Sequence, residues 1–205
     1  MSRKILAFDT ETTDKEKTTC GLVTLSGAII IDDVVKEYFD FRCCPQDGVT
    51  VSKGAFEVTG INIGECYTWM STEDMMTKHF HPMLLKYVDK YSKGDKFFPL
   101  AYNGNFDLEV MAGTYRRMGD KYGFGTYQNW TLLDPVIAIN SMVANGDLVV
   151  ENRQLGTICK AWGIDIEAHN SLSDIQATLR VAMKTMKVAK NFTNLECELV
   201  TRNYE

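Results

Sequence analysis

One stretch near the start of the chain restricts the fold more than any other: an apolar run that ends in two acidic residues. Residues 4–8 have the composition of a buried β-strand, and Asp9 and Glu11 follow it. Because strand side chains alternate between the two faces, both carboxylates lie on one face. Their repulsion needs compensation, which oxygen-bound divalent cations such as Mg²⁺ or Mn²⁺ provide. A metal site and a solvated acidic turn are both open at this point.

The patterns that follow predict an α/β protein with a mixed central sheet flanked by helices. Residues 20–31 and the alternating residues 34–43, joined by Asp32 and Asp33, predict a hairpin that extends the first strand into an antiparallel sheet. Further strands are predicted at residues 97–102 and 130–134. Strands and helices alternate from there on, which indicates that later strands join the sheet in parallel.

Apolar residues at helical spacing predict the helices. A capping box at residues 71–74 begins a helix to about residue 91, which Pro82 should kink or break. His79 and His81 lie on different faces of that helix, so we expect no shared metal between them. Loop 121–130 is rich in aromatic residues, which either pack on the sheet edge, the preferred interpretation, or stack on bases. The remaining helices are predicted at residues 108–119, 135–145, 154–162 and 170–190.

Length and composition fit one globular domain. The 205 residues are 45% hydrophobic and 24% charged, which predicts a single domain over residues 1–191 and a short tail over residues 192–205. No apolar run is long enough to cross a membrane, and residues 1–4 lead directly into a strand, so we expect a cytoplasmic protein without a membrane partner. The six cysteines form no C-x-x-C pair, which favours reduced thiols over a zinc site.

Acidic residues from distant parts of the chain can form one site. Asp107 begins a helix that follows a strand, and Asp174 lies in the last long helix, five residues after His169. Together with Asp9 and Glu11, they would supply four carboxylates and a base, which suits two divalent cations. Binding two such ions would bring the net charge from −5 to −1, so the acidic composition does not exclude a polyanionic substrate.

These residues lie in three motifs that resemble those of the DnaQ-like, DEDDh-type 3′–5′ exonuclease family. Weaker similarity at residues 49–61, 132–134 and 155–165 extends the resemblance to residues 4–190. His169, five residues before the last aspartate, matches the histidine subtype of the family. Thr59 stands where many relatives have a histidine, which leaves the contacts of that imidazole open. The motifs are Phe8-Asp9-Thr10-Glu11-Thr12-Thr13, Asn103-Gly104-Asn105-Phe106-Asp107 and His169-Asn170-Ser171-Leu172-Ser173-Asp174.

The resemblance implies an RNase H-like fold and a site that removes 5′-mononucleotides from the 3′ end of a nucleic acid. Two Mg²⁺ or Mn²⁺ ions would be held by the four carboxylates of Asp9, Glu11, Asp107 and Asp174. His169 would be the general base, and Asp134 would form structural hydrogen bonds. Packing in the core is an equal alternative for Phe8 and Phe106. The expected substrate-binding residues are Phe8, Thr10, Thr12, Thr59, Asn103 and Phe106.

Several functions stay open within this resemblance. Single-stranded DNA is favoured as substrate, with proofreading or end trimming as the role, while RNA and an endonuclease of the same broad fold are alternatives. A non-catalytic module of this fold that docks on a replication partner is the alternative outside enzymes, although a binding module has no need for opposed carboxylates. The chain is expected to act alone, as a homodimer or as a subunit of a DNA polymerase.

Overall fold

The computed structural model describes residues 2–166, 171–186 and 199–201, the last three as backbone only. Its centre is a five-stranded sheet of order β4-β1-β2-β3-β5. Strands β1, β2 and β3 are antiparallel, while β4 is parallel to β1 and β5 is parallel to β3. The predicted mixed sheet, with its hairpin first and a parallel strand later, is confirmed. The strands are β1 (Lys4–Thr12), β2 (Leu22–Ile31), β3 (Val34–Arg42), β4 (Phe98–Leu100) and β5 (Leu199–Thr201).

The β2–β3 hairpin turns at the two predicted aspartates. Asp32 and Asp33 both have positive φ, 49° and 69°, as a tight turn that follows the twist of the strands requires. Further along β2, a Cβ on Gly27 would lie 2.2 Å from the Ala7 carbonyl oxygen and 2.3 Å from Cζ of Phe39. Glycine therefore lets the Phe39 ring lie across β2 at the centre of the sheet.

Helices cover both faces of the sheet. The predicted helix from residue 71 begins with the Ser71 cap, becomes π-helical just before Pro82, and ends at Leu85 rather than near residue 91. Within the described part of the chain, no helix is long and apolar enough to cross a membrane. The helical segments are α1 (Lys53–Thr59), α2 (Ile63–Cys66), α3 (Thr72–Asp74), the π-helical Met75–Phe80, α4 (His81–Leu85), α5 (Asn105–Arg117), the 3₁₀ turn Phe124–Thr126, α6 (Pro135–Asn145), α7 (Leu155–Trp162) and α8 (Ser171–Met186).

Strand β1 separates two apolar cores. Leu6 and Phe8 face the larger core, which includes α5 and the π-helical segment, while Ile5 and Ala7 face the core formed with α8. The alternation continues past the apolar run, so Asp9 and Glu11 lie on the face that α8 covers. A third cluster joins α6 and α7 to α8, and thereby holds the helix that carries Asp174 against the sheet.

The strand predicted at residues 130–134 does not form. Its stretch of chain runs beside β4 but makes only isolated bridges, Phe97 to Gln128 and Leu100 to Leu133. Pro99 has no N–H to donate, so the ladder is interrupted there, although its carbonyl oxygen accepts from the Leu133 N–H at 2.8 Å. Trp130, at the start of that stretch, is 84% exposed. The short β5 lies in the predicted tail and was not expected from the sequence.

Candidate carboxylate site

The early end of β4 creates the site. β4 pairs with β1 only through Ala7, which leaves the following residues of β1 without a strand neighbour on that edge. The chain then turns and begins α5, which carries Asp107 in its first turn. One oxygen of the Asp107 carboxylate accepts hydrogen bonds from the Thr10 N–H at 2.9 Å and the Thr10 hydroxyl at 2.7 Å. Asp107 thus occupies the edge of β1 beyond the last residue of β4.

The turn before α5 is held in place by Asp134, at the N-cap of α6. The carboxylate of Asp134 accepts from the N–H groups of Asn103 at 3.0 Å, Gly104 at 3.2 Å and Val136 at 3.0 Å. Asn103 has a φ of 56°, and a Cβ on Gly104 would lie only 2.5 Å from Cβ of Ala101. The predicted structural role of Asp134 is therefore confirmed: its bonds fix the turn that positions α5.

Helix α8 carries the fourth carboxylate, that of Asp174. This helix packs on the face of the sheet opposite to the face that packs against α5, the helix of Asp107. Asp174 lies in its first turn, one residue before Ile175, which is buried against the β1 face that includes Ala7. The charge of Asp174 raises the pKa of both Asp9 and Glu11. Helix α8 therefore places Asp174 within electrostatic reach of the acidic end of β1.

Burial and the charges of neighbouring carboxylates raise the pKa values of Asp9, Glu11 and Asp107. Burial, followed by the charges of Asp107, Glu11 and Asp174, raises the pKa of Asp9 well above its usual value. Burial, then Asp174 and Asp107, raises the pKa of Glu11 to about 7. Burial raises the pKa of Asp107 to about 6 although the hydrogen bonds from Thr10 lower it. Four acidic groups from three separated stretches of sequence thus share one electrostatic environment.

The donor chemistry fits hard divalent cations. Carboxylate oxygens are the ligands preferred by Mg²⁺ and Mn²⁺, and a cation would offset the charge of these buried carboxylates. Within residues 2–166 and 171–186, no three His, Cys, Asp or Glu side chains are already drawn together closely enough to hold a metal ion.

Two cavities lie on either side of Glu11. The larger, of about 570 Å³, includes apolar side chains such as Val58 and Phe106. The smaller, of about 190 Å³, is lined mainly by polar groups, among them Thr24 and Arg42. Thr24 and Arg42 were not predicted as site residues from the sequence, because polar residues at alternating strand positions have no distinguishing pattern. The predicted residues that line the larger cavity are Thr10, Glu11, Thr12, Thr59 and Phe106.

The remaining predicted residues have different positions. Phe8 is 1% exposed and packs edge to face on Phe124, with ring centroids 5.5 Å apart, which favours the alternative interpretation that it packs in the core. The reason is strand alternation, which turns Phe8 towards the larger core, away from Asp9. Asn103 is exposed at the turn before α5. His169 lies outside the described residues.

The aromatic loop over residues 121–130 divides between the core and the surface. Phe124 and Tyr127 are each 5% exposed and belong to the larger core, in agreement with the preferred interpretation. Tyr122 is 75% exposed and Trp130 is 84% exposed. His81 stacks on Tyr127 and Tyr115, and burial lowers its pKa to about 4. His81 is therefore a packed histidine.

The fold matches solved structures of exonuclease I. E. coli exonuclease I in complex with a dA16 oligonucleotide is 24% identical with a TM-score of 0.66, over 89% of this chain and 41% of that one. The zinc-bound E. coli exonuclease I–ssDNA complex is 21% identical with a TM-score of 0.67, over 91% and 41%. A complex of exonuclease I with SSB-Ct is 21% identical with a TM-score of 0.68, over 90% and 42%.

These similarities establish the RNase H-like fold that the motifs predicted. The chain spans less than half the length of the exonuclease I chains that it matches. No protein-family model matches the chain, and no curated protein sequence matches it. The fold is thus shared with exonuclease I at low sequence identity.

Proposed function

We propose that this chain is a metal-dependent 3′–5′ exonuclease that removes 5′-mononucleotides from single-stranded DNA. The observation that carries the proposal is that Asp9, Glu11, Asp107 and Asp174 lie close enough for the charges of neighbouring carboxylates to raise the pKa values of Asp9 and Glu11. A structural acidic cluster gains nothing from such mutual repulsion. In a site that binds cations, the bound cations offset the repulsion between the carboxylates.

The four carboxylates would hold two Mg²⁺ or Mn²⁺ ions. When bound, such ions neutralise the charge of the scissile phosphate, lower the pKa of the attacking water and stabilise the leaving 3′ oxygen. Asp107 is the most constrained of the four, because the two hydrogen bonds from Thr10 fix the orientation of its carboxylate. Thr10 therefore acts as a positioning residue for Asp107.

His169 is proposed as the general base. It precedes α8 by two residues and Asp174 by five. A neutral imidazole with a pKa near ~6.5 accepts a proton from the attacking water at neutral pH. The water oxygen then bonds to phosphorus as the bond to the 3′ oxygen breaks, and the released 3′ oxygen takes up a proton from solvent, which yields a 5′-mononucleotide and a strand with a new 3′ hydroxyl.

The larger cavity beside Glu11 is the proposed site of the terminal nucleotide. Phe106 and Val58 offer apolar surface to a base or sugar, while Thr12 and Thr59 offer polar groups. DNA is favoured over RNA because structures of exonuclease I that share this fold were determined with single-stranded DNA. We also propose that residues 1–191 form one nuclease domain and that residues 192–205 are a tail.

Degradation of a 3′-labelled single-stranded oligonucleotide tests the proposal. The wild-type chain should release labelled 5′-mononucleotide with Mg²⁺ or Mn²⁺, and release none with EDTA. Asp107→Asn should lower the rate by at least ~10²-fold, because it removes one negative charge from the proposed metal site. The matched control is Asp147→Asn, which removes an exposed carboxylate just beyond α6 and should retain the wild-type rate.

Two results would contradict the proposal. One is equal activity of purified, folded Asp107→Asn and wild-type protein, which would exclude this carboxylate from the reaction. The other is the absence of metal-dependent release from every strand offered, including single-stranded DNA, duplex DNA, mismatched duplex and RNA. Release from RNA alone would retain the site and change the substrate.

A further inference from the structure

The smaller cavity contains a row of polar side chains that continues from the carboxylate site across the sheet. Glu11 of β1 pairs with Thr24 of β2, and Thr24 pairs with Arg42 of β3. Directly paired residues of antiparallel strands share a face of the sheet, so the three side chains lie side by side. Neighbouring strands are about 4.8 Å apart, which places Arg42 roughly 10 Å from the acidic end of β1.

Thr24 has a hydroxyl that the protein itself does not satisfy. The residue is 4% exposed, and its Oγ1 has no hydrogen-bond partner among the described residues. A buried hydroxyl without a partner is destabilising, and such groups in native proteins call for an explanation. Because Thr24 lines the smaller cavity, a ligand in that cavity could accept a hydrogen bond from this hydroxyl.

Arg42 is held in position without being neutralised. Its guanidinium lies over the ring of Trp69, 5.5 Å from the ring centroid, and both residues line the cavity. Elsewhere the structure pairs Arg3 with Asp33 and Arg116 with Glu109, whereas Arg42 makes no hydrogen bond or ion pair within the described residues. Stacking on Trp69 orients the planar group and leaves its N–H edges free for an acceptor.

From this row we propose that the smaller cavity binds a phosphate of the nucleic-acid strand other than the phosphate being cleaved. Arg42 supplies the positive charge and Thr24 a hydrogen-bond donor, and a cavity of about 190 Å³ admits a phosphate group. The inference rests on the proposed function, since it assigns this cavity to the same bound strand. It adds a second anchor for that strand, beyond the terminal nucleotide.

Glu11 and Glu65 also line the cavity, and Glu65 offers a test that distinguishes a phosphate from a ligand with hydrogen-bond donors. Glu11 belongs to the proposed metal site, where cations would neutralise it. Glu65 is exposed. If the ligand is a phosphate, Glu65 repels it, and Glu65→Gln should tighten binding. If the ligand instead presents donors, such as a base edge or a sugar hydroxyl, the same substitution should weaken binding.

Equilibrium binding of a fluorescent single-stranded oligonucleotide, in Mg²⁺ and the Asp107→Asn background, measures the anchor without turnover. Adding Arg42→Ala should raise Kd at least fivefold, and Arg42→Lys should raise it less. Thr24→Val should raise Kd about threefold while Tm stays equal or increases, because no protein hydrogen bond is lost. The matched control is Arg3→Ala, which removes the same charge at the opposite end of β1 and should leave Kd unchanged.

A scan with neutral methylphosphonate linkages then identifies the phosphate. One linkage near the 3′ end should weaken binding about fivefold in the background protein and have no effect once Arg42→Ala is added. Three results would each overturn the subsite: a Kd of Arg42→Ala equal to that of the background protein, a linkage penalty that persists in Arg42→Ala, and weaker binding by Glu65→Gln. The proposed function survives those results if wild-type protein still degrades DNA, whereas a wild-type protein that neither binds nor degrades DNA overturns both.

Discussion

Glu11 is the residue on which the pH dependence of the metal-free protein should be clearest. Its pKa in the folded protein is about 7, above the ordinary 4.5, because of burial and the charges of Asp174 and Asp107. When folding raises the pKa of a carboxyl group, the folded protein is more stable with that group protonated than with it ionised. The stabilisation that protonated Glu11 contributes is complete below about pH 4.5 and is lost as the pH rises through about 7.

Glu11→Gln should therefore stabilise the metal-free protein at alkaline pH. In EDTA at pH 8 we expect the Tm of the variant to exceed that of wild type by about 3 °C or more, since it removes one repelling charge. At pH 4.5 the two proteins should unfold at nearly the same temperature. Added Mg²⁺ should raise the Tm of wild type more than that of the variant. A lower Tm of Glu11→Gln at pH 8 in EDTA would contradict the described electrostatics.

At the scale of single residues, sequence alone identified the acidic groups but not the surroundings that determine their chemistry. Asp9, Glu11, Asp107 and Asp174 belong to motifs, and strand period two places the first two on one face. The same period places Phe8 on the opposite face, in the core, although it belongs to the same motif as Asp9 and Glu11. The hydrogen bonds from Thr10 to Asp107 join positions 97 residues apart, which no local pattern predicts.

At the scale of elements, the turn between β4 and α5 determines where Asp107 lies, and Asp134 holds that turn. Asp134→Ala leaves the N–H groups of Asn103, Gly104 and Val136 without their acceptor and removes the cap of α6. We expect a loss of about 2–4 kcal/mol in the free energy of unfolding, measured by urea denaturation. Asp134→Asn keeps an acceptor oxygen and should lose less.

Activity provides a second readout for the same turn. At a temperature where Asp134→Ala remains folded, its nuclease rate should be at least ~10-fold below wild type, because Asp107 is displaced from the edge of β1. Unchanged stability and rate would show that Asp134 does not position α5. Sequence patterns predicted α5 and α6, but not the early end of β4 or the loss of the strand over residues 130–134. Those depend on Pro99 and on pairing between distant segments.

At the scale of the whole molecule, the fold could be predicted because the strand and helix patterns and the three motifs all indicate the same architecture. The hairpin, the parallel β4 and the helices in sequence produce the sheet shared with exonuclease I. The smaller cavity was not predictable, since its row crosses three strands whose register only the folded chain defines. Strand β5 was missed because three residues are too few for a strand pattern.

The proposed exonuclease activity implies a requirement for a strand end, which belongs to the scale of the whole protein. A circular single-stranded DNA and a linear strand of the same sequence should be distinguished completely if the chain is an exonuclease. With Mn²⁺, a 5′-labelled linear strand should shorten progressively from its 3′ end, whereas the circle should remain intact on a denaturing gel. Linearisation of the circle would contradict exonuclease action and favour an endonuclease of the same fold.

The most direct measurement of the central claim is anomalous scattering from crystals of the wild-type protein grown with Mn²⁺. We predict two manganese peaks about 4 Å apart, bound between the carboxylates at the end of β1 and those of Asp107 and Asp174. Asp107→Asn crystals grown in the same way should lose or weaken at least one peak. Wild-type crystals with manganese bound only elsewhere, or with none at this site, would contradict the account.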